Sequence, residues 1–149
     1  MSITFHTLSS AHMLALQLQP SQLIEAGLDA SGMSAEHARE IVERGVGWAA
    51  IRGEEVLCCA GIVETFADRQ GTAWAMLAGG LGACAHLAIT RFARARIAES
   101  PLVRVESLIS DDPTGRCAKW ARAVGMEHEA TLAKWGAASE TIHVYRRLR

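Results

Sequence analysis

The stretch from Thr72 to Ile109 constrains the fold more than any other part of the chain. It holds a β-forming run, Thr72 to Ala78, then a turn rich in glycine (Gly79, Gly80, Gly82), then an unbroken helical stretch from about Ala83 to Glu99, and finally a second β-forming run, Leu102 to Ile109. Pro101 stops the helix before that second run. A strand, a crossover helix and a strand in this order close in the right-handed sense and set the two strands parallel. The alternative is a membrane span, because Ala73 to Thr90 carries no formally charged residue. The glycines break that run in its middle, so it reads as strand, turn and helix.

The segments on either side fit a mixed sheet. Ile3 to Leu8 reads as a first strand. Ser9 or Ser10 caps a helix expected to run through Leu18, Pro20 opens a short helix over Ser21 to Ala26, and Ser34 caps a third helix that Gly45 closes. Val46 to Ile51 and Val56 to Thr65 flank Arg52 to Glu55 as a hairpin. Beyond the crossover, Asp111, Asp112 and Pro113 make a turn leading into a helix over Thr114 to Val124. Gly125 ends it, and two closing strands, Glu127 to Lys134 and Thr141 to Arg147, follow. With no repeat or low-complexity linker, the 149 residues are expected to form a single α/β domain with a mixed sheet and helices on both faces. In such a sheet a ligand sits at the carboxyl ends of the parallel strands.

Composition narrows the function classes. Fifteen basic and sixteen acidic side chains leave a net charge of -1, which gives no broad positive field for nucleic acid and no polybasic stretch for a lipid surface. The six histidines are scattered without metal-ligand spacing, so no metal is expected. The four cysteines (Cys58, Cys59, Cys84, Cys117) read as buried thiols in a reducing compartment, the first two on opposite faces of a strand. The N-terminus shows no signal-peptide pattern, and the cytoplasm is the expected location.

Three segments carry a family resemblance. The helix ending at Gly125 and Met126, with Glu129 following, resembles the "Leu-Gly-Phe" helix end of the GNAT (GCN5-related N-acetyltransferase) fold. Thr72 to Ala78, the glycine turn, the helix and then Arg104, Val105 and Glu106 are similar to a branch carried by tailed bacteriophages, and the ending through Tyr145, Arg146 and Arg147 resembles the "Tyr-x-Arg" close of that branch. The resemblance implies acetyl-CoA as cosubstrate and an acceptor that is a small-molecule amine or a protein amino group. It implies that the loop Leu77, Ala78, Gly79, Gly80, Leu81, Gly82 and Ala83 holds the pyrophosphate at a helix N-terminus. It also implies a carboxylate base, for which Glu64 is preferred over Glu106, since Glu106 can pair with Arg104 two residues away on the same strand face.

His86 is a further candidate base, and Arg91 or Arg94 could reach a CoA phosphate, with solvated helix positions as the plainer reading of all three. Trp48, Trp74, Trp120 and Trp135 are expected as core or rim anchors. Two departures from the family pattern matter. The loop lacks the long polar entry of the Arg/Gln-x-x-Gly-x-Gly/Ala pattern, and Ala121 stands where many relatives carry a tyrosine acid. These leave a second reading beside the enzyme, a phage virion or assembly component that keeps the scaffold without turnover. In that case the host cytoplasm or the virion is the location.

Overall fold

The chain is seen in a computed structural model, which describes residues 1–19, 22 and 32–149. The described elements are β1 (Ile3–Thr7), α1 (Ser10–Ala15), α2 (Ala35–Glu43), β2 (Gly45–Arg52), β3 (Glu55–Phe66), β4 (Gln70–Leu77), α3 (Ala83–Glu99), β5 (Arg104–Ser110), α4 (Arg116–Ala123), β6 (Glu127–Leu132) and β7 (Ile142–Leu148). Their strands make one seven-stranded mixed sheet in the order β1-β2-β3-β4-β5-β7-β6. The mixed α/β architecture expected from the sequence is therefore present. Of the helix expected over Ser21 to Ala26, only Gln22 is among the described residues.

The contacts divide the chain into two compact units, Met1–Val63 with Trp74–Ile89, and Glu64–Ala73 with Thr90–Arg149. In the first unit, Ser9 caps α1 reciprocally. Its hydroxyl accepts from the His12 amide at 3.3 Å while its own amide donates to His12 Nδ1 at 3.2 Å, so histidine fills the position usually held by Glu or Gln in a capping box. The helix expected to reach Leu18 stops at Ala15. Leu16 turns extended, and Leu18 forms an isolated antiparallel bridge with Ala78, so a tertiary backbone partner replaces the next helical turn.

β3 is the central strand of this unit and is covered on both faces, since the adjacent Cys58 and Cys59 are both buried. Leu8, Met13, Leu16, Ala38, Val56 and Cys59 form the core against it, with Trp74 and Met76 packed alongside. The packing is tight enough at Gly61 that a Cβ there would lie 2.7 Å from the Val46 carbonyl oxygen and 3.0 Å from the Trp74 indole.

In the second unit, β5 runs parallel to β4 through the pairs Gln70–Arg104, Gly71–Val105 and Thr72–Glu106, and the Ser107 hydroxyl donates to the Ala73 carbonyl at 3.1 Å. β7 then pairs antiparallel with both β5 and β6. The helix expected from Thr114 begins at Arg116, because the Asp112 carboxylate collects the amides of Thr114, Arg116 and Cys117 and holds the intervening residues as a turn. The Trp120 indole N–H donates to the Thr90 hydroxyl at 2.9 Å and ties α4 to α3. Trp135 departs from the anchor role expected of it and stands 58 % exposed between β6 and β7. No helix among the described residues is long and apolar enough to cross a membrane.

Candidate functional site

The glycine turn joins β4 to α3 in the first unit. β4 delivers the chain to Ala78, whose amide donates to the Leu57 carbonyl of β3 at 2.9 Å and which is itself buried. Gly79, Gly80 and Gly82 then lie exposed. Gly80 has φ +72°, a left-handed conformation that only glycine adopts at no steric cost. Gly82 has no such backbone demand, and a Cβ added there would meet nothing within 4 Å. The turn geometry thus accounts for Gly80, whereas no backbone strain requires glycine at Gly82.

Gly82 accepts the His86 amide at 3.0 Å, which makes it the residue that opens α3. The first helical amides after it have no intrahelical acceptor, and no acidic side chain stands in the first turn to satisfy them or to balance the positive end of the helix dipole. An exposed N-terminus of a long helix, preceded by side-chain-free residues, is chemically suited to an anion such as a phosphate.

Two glutamines that the sequence reading did not single out hold the end of β4. Gln22 accepts the Leu77 amide at 2.9 Å and donates to the Ala75 carbonyl at 3.5 Å, while Gln19 donates to the Ala78 carbonyl at 3.2 Å. The β3 side of β4 is engaged through Ala78, so Ala75 and Leu77 present their peptide groups on the opposite edge. There a side-chain amide, donating once and accepting once, takes the place of a neighbouring strand.

Glu64 is exposed near the end of β3, and its Oε2 accepts the Asp68 amide at 3.0 Å across the β3–β4 turn. It stands at the turn that precedes β4, whereas the glycine loop follows β4, so the strand separates them in the chain. Glu106 accepts from Arg104 Nε at 2.7 Å, and Arg104 also grips Glu129, which Arg146 contacts in turn. The hydrogen bond with Glu129, ahead of that with Glu106, pushes the Arg104 guanidinium further toward its charged form. Glu106 therefore has the structural role that its spacing from Arg104 allowed.

Arg94 donates to the Ala123 carbonyl at 3.2 Å, closing the end of α4. Arg91 and His86 are exposed on α3. Cys84, expected to be buried, is exposed in the first turn of α3, because the stripe that packs inward there runs through Ala85 and Ile89. Ala121 is buried, 2 % exposed. Among the described residues, no group of three His, Cys, Asp or Glu side chains could hold a metal ion.

No protein-family model matches the sequence, and no curated protein sequence matches it. The fold is nonetheless shared with solved structures of acetyltransferases. A GNAT-family acetyltransferase from Bacillus anthracis aligns over 98% of this chain and 94% of its own, with a TM-score of 0.70 at 12% identity. The aminoglycoside 6'-N-acetyltransferase from Enterococcus faecium aligns over 97% and 96%, with a TM-score of 0.72 at 9% identity. The spermidine N-acetyltransferase from Vibrio cholerae, solved with CoA and spermine, aligns over 98% and 95%, with a TM-score of 0.71 at 9% identity. The chain has the GNAT fold, and at these identities the likeness establishes the fold alone.

Proposed function

We propose that the chain is an acetyl-CoA-dependent N-acetyltransferase whose acceptor is an amine, on a small molecule or a protein. The observation that carries this reading is the edge of β4, where the Leu77 N–H and the Ala75 C=O are bonded to the lone amide of Gln22. A ligand chain that itself contains amides, as the pantetheine arm of CoA does, can take over both bonds without leaving either peptide group unsatisfied. The loop from Leu77 to Ala83 then receives the pyrophosphate on the amides that open α3, with Gly82 allowing close approach. Structural neighbours acting on spermidine and aminoglycosides make a polyamine or an amino sugar a reasonable first acceptor to try.

In the transfer, the amine nitrogen attacks the thioester carbonyl, a C–N bond forms, the C–S bond breaks, and the thiolate leaves with a proton. Ala121 has no proton to give, so water supplies it. Glu64 is the base in this reading. Its Oε1 accepts no bond from the described residues while Oε2 holds the Asp68 amide, so one oxygen remains to take the amine proton, through water.

The buried Ala121 favours a second reading, a GNAT-fold binding module, such as a phage virion or assembly component, that no longer turns over. Thermal-shift titration with acetyl-CoA, CoA and ATP separates the two, since a ligand bound only to the folded state raises its melting temperature. The enzyme reading expects a saturable shift with the CoA ligands alone, and amine-dependent CoA release that falls roughly a hundredfold or more in Glu64→Gln at unchanged melting temperature. No shift at millimolar acetyl-CoA would leave the binding-module reading.

A further inference from the structure

A cavity of about 350 Å³ opens in the other unit, between α4 and the ends of β5, β6 and β7. Its volume falls in the lower part of the range for small-molecule sites. Ile109 and Ala118 supply apolar lining, and the polar groups come from Asp111, Arg122, His128, Thr131, His143 and Tyr145. What the cavity can bind follows from which of these groups are already committed.

Three hydrogen bonds link four of them in a row. His128 Nε2 lies 3.1 Å from Thr131 Oγ1, Thr131 Oγ1 lies 3.1 Å from His143 Nδ1, and His143 Nε2 lies 3.0 Å from Asp111 Oδ1. The direction of the row is determined by its last member. An ionised carboxylate only accepts, so His143 carries its proton on Nε2. Its neutral ring then accepts at Nδ1, so Thr131 donates there, and the Thr131 oxygen accepts from His128 Nε2–H. Both rings are thereby assigned the same tautomer, and His128 Nδ1 is left as the one ring nitrogen outside the row. The second acid of the lining, Asp112, is committed to the turn before α4 through Thr114, Arg116 and Cys117.

Both carboxylates of the cavity are therefore engaged, and its cation is not. Arg122 lies with its guanidinium 5.7 Å from the centre of the Tyr145 ring, and it forms no ion pair among the described residues. Stacking on an aromatic face leaves the in-plane N–H fork available. The Tyr145 ring is buried and is held on its other contact by His128, edge to face with centroids 5.3 Å apart, so the platform beneath Arg122 is rigid.

We propose that this cavity is a binding site for a small organic carboxylate, held bidentately by Arg122, with its apolar body against Ile109 and Ala118. His128 stands at the open end of the hydrogen-bonded row, with Nδ1 the ring nitrogen outside it. The charged and titratable groups that line the cavity with His128 are Asp111, Asp112, Arg122, His143 and Tyr145, and of the charged ones the Arg122 side chain alone has no ion pair or hydrogen bond among the described residues. The site is independent of the acetyl-CoA reading.

Benzoate is the probe, followed by NMR of the histidine rings, with benzylamine and inorganic phosphate as comparisons. Benzoate is expected to shift the His128 and His143 resonances saturably. Arg122→Gln should abolish the shifts while leaving the melting temperature in place. Arg122→Lys, which keeps the charge and loses the fork, should weaken binding roughly tenfold and decides the matter if the glutamine variant does not fold. The proposal is overturned if benzoate leaves both rings unmoved at millimolar concentrations, if phosphate or benzylamine binds as well as benzoate, or if the lysine variant binds like the wild type.

Discussion

Arg147 of β7 donates twice to the carbonyl of Ile97 in α3, from Nε at 3.1 Å and from a terminal nitrogen at 2.6 Å. The same guanidinium reaches the carbonyls of Ser100 and Leu102, so one side chain satisfies acceptors that the end of α3 and the turn after it leave open. Burial and the neighbouring Arg149 lower its pKa without discharging it. Arg147→Met should therefore cost roughly 2–4 kcal/mol in urea-unfolding free energy, because it strands partly buried carbonyls. Arg147→Lys should recover only part of that loss, since an ammonium lacks the planar fork.

Gly80 and Gly82 should respond differently to alanine. At Gly80, with φ +72°, a side chain is strained by the backbone itself, and Gly80→Ala should destabilise the fold by about 1–2 kcal/mol. At Gly82 a methyl group enters open space, so Gly82→Ala should cost only the poorer N-cap preference of alanine, roughly 0.5–1 kcal/mol. If the turn holds a pyrophosphate, that same variant loses at least about tenfold in acetyl-CoA affinity, which calorimetry would read directly. Gln22→Ala should move affinity the other way, by removing the amide that competes for Ala75 and Leu77. An unchanged affinity in both variants would count against the cofactor loop.

Asp112 sets an acid limit on stability. The Thr114 amide and hydroxyl, followed by the amides of Cys117 and Arg116, hold its pKa down at about 2 against an ordinary value of 3.8. A carboxylate depressed in the folded state contributes stability that is complete above the unfolded value and is lost as the pH falls through 3.8 toward 2. Asp112→Asn should flatten the dependence of melting temperature on pH within that window and lower stability at neutral pH, with the far-UV circular dichroism spectrum at neutral pH unchanged. A carbon-13 titration of the Asp112 carboxyl checks the depression itself.

The crossover, the hairpin and the closing strands were legible because each rests on local chemistry: periodic apolar residues, a proline stop and glycine turns. The Arg104–Glu106 pair was legible too, since residues two apart on a strand share a face. What escaped depends on residues that the chain brings together from a distance. Leu18 leaves the helical pattern for a bridge to Ala78, and Gln22 turns its amide to β4. His128 and His143 have no motif spacing. They meet because β6 pairs with β7 in a register shifted between His128 and Ala130, which puts Thr131 opposite His143, and no local signal announces that shift. Cysteine composition pointed to four buried thiols, yet only the helix phase decides that Cys84 faces outward while Ala85 packs in.

That difference among the cysteines sets the order in which they react. Burial pushes the Cys58 and Cys59 thiols up to about 12, with the neighbouring Cys59 adding to the effect at Cys58, so neither forms appreciable thiolate in the native state. Cys84 is exposed at the helix end that favours negative charge. Iodoacetamide at pH 8 should therefore label Cys84 first and leave Cys58 and Cys59 untouched until the protein unfolds, as peptide mass mapping would show. An acidic group whose folded pKa is raised holds its proton when the unfolded chain has lost it. Stability is thus intact below the unfolded value near 9.0 and declines as the pH rises from there toward about 12. Replacing both buried cysteines with alanine should remove that alkaline decline, at the expense of a core cavity. Because Cys84 lies two residues beyond Gly82, acetyl-CoA bound at the turn should also slow its alkylation, and a labelling rate indifferent to millimolar acetyl-CoA would place the ligand elsewhere.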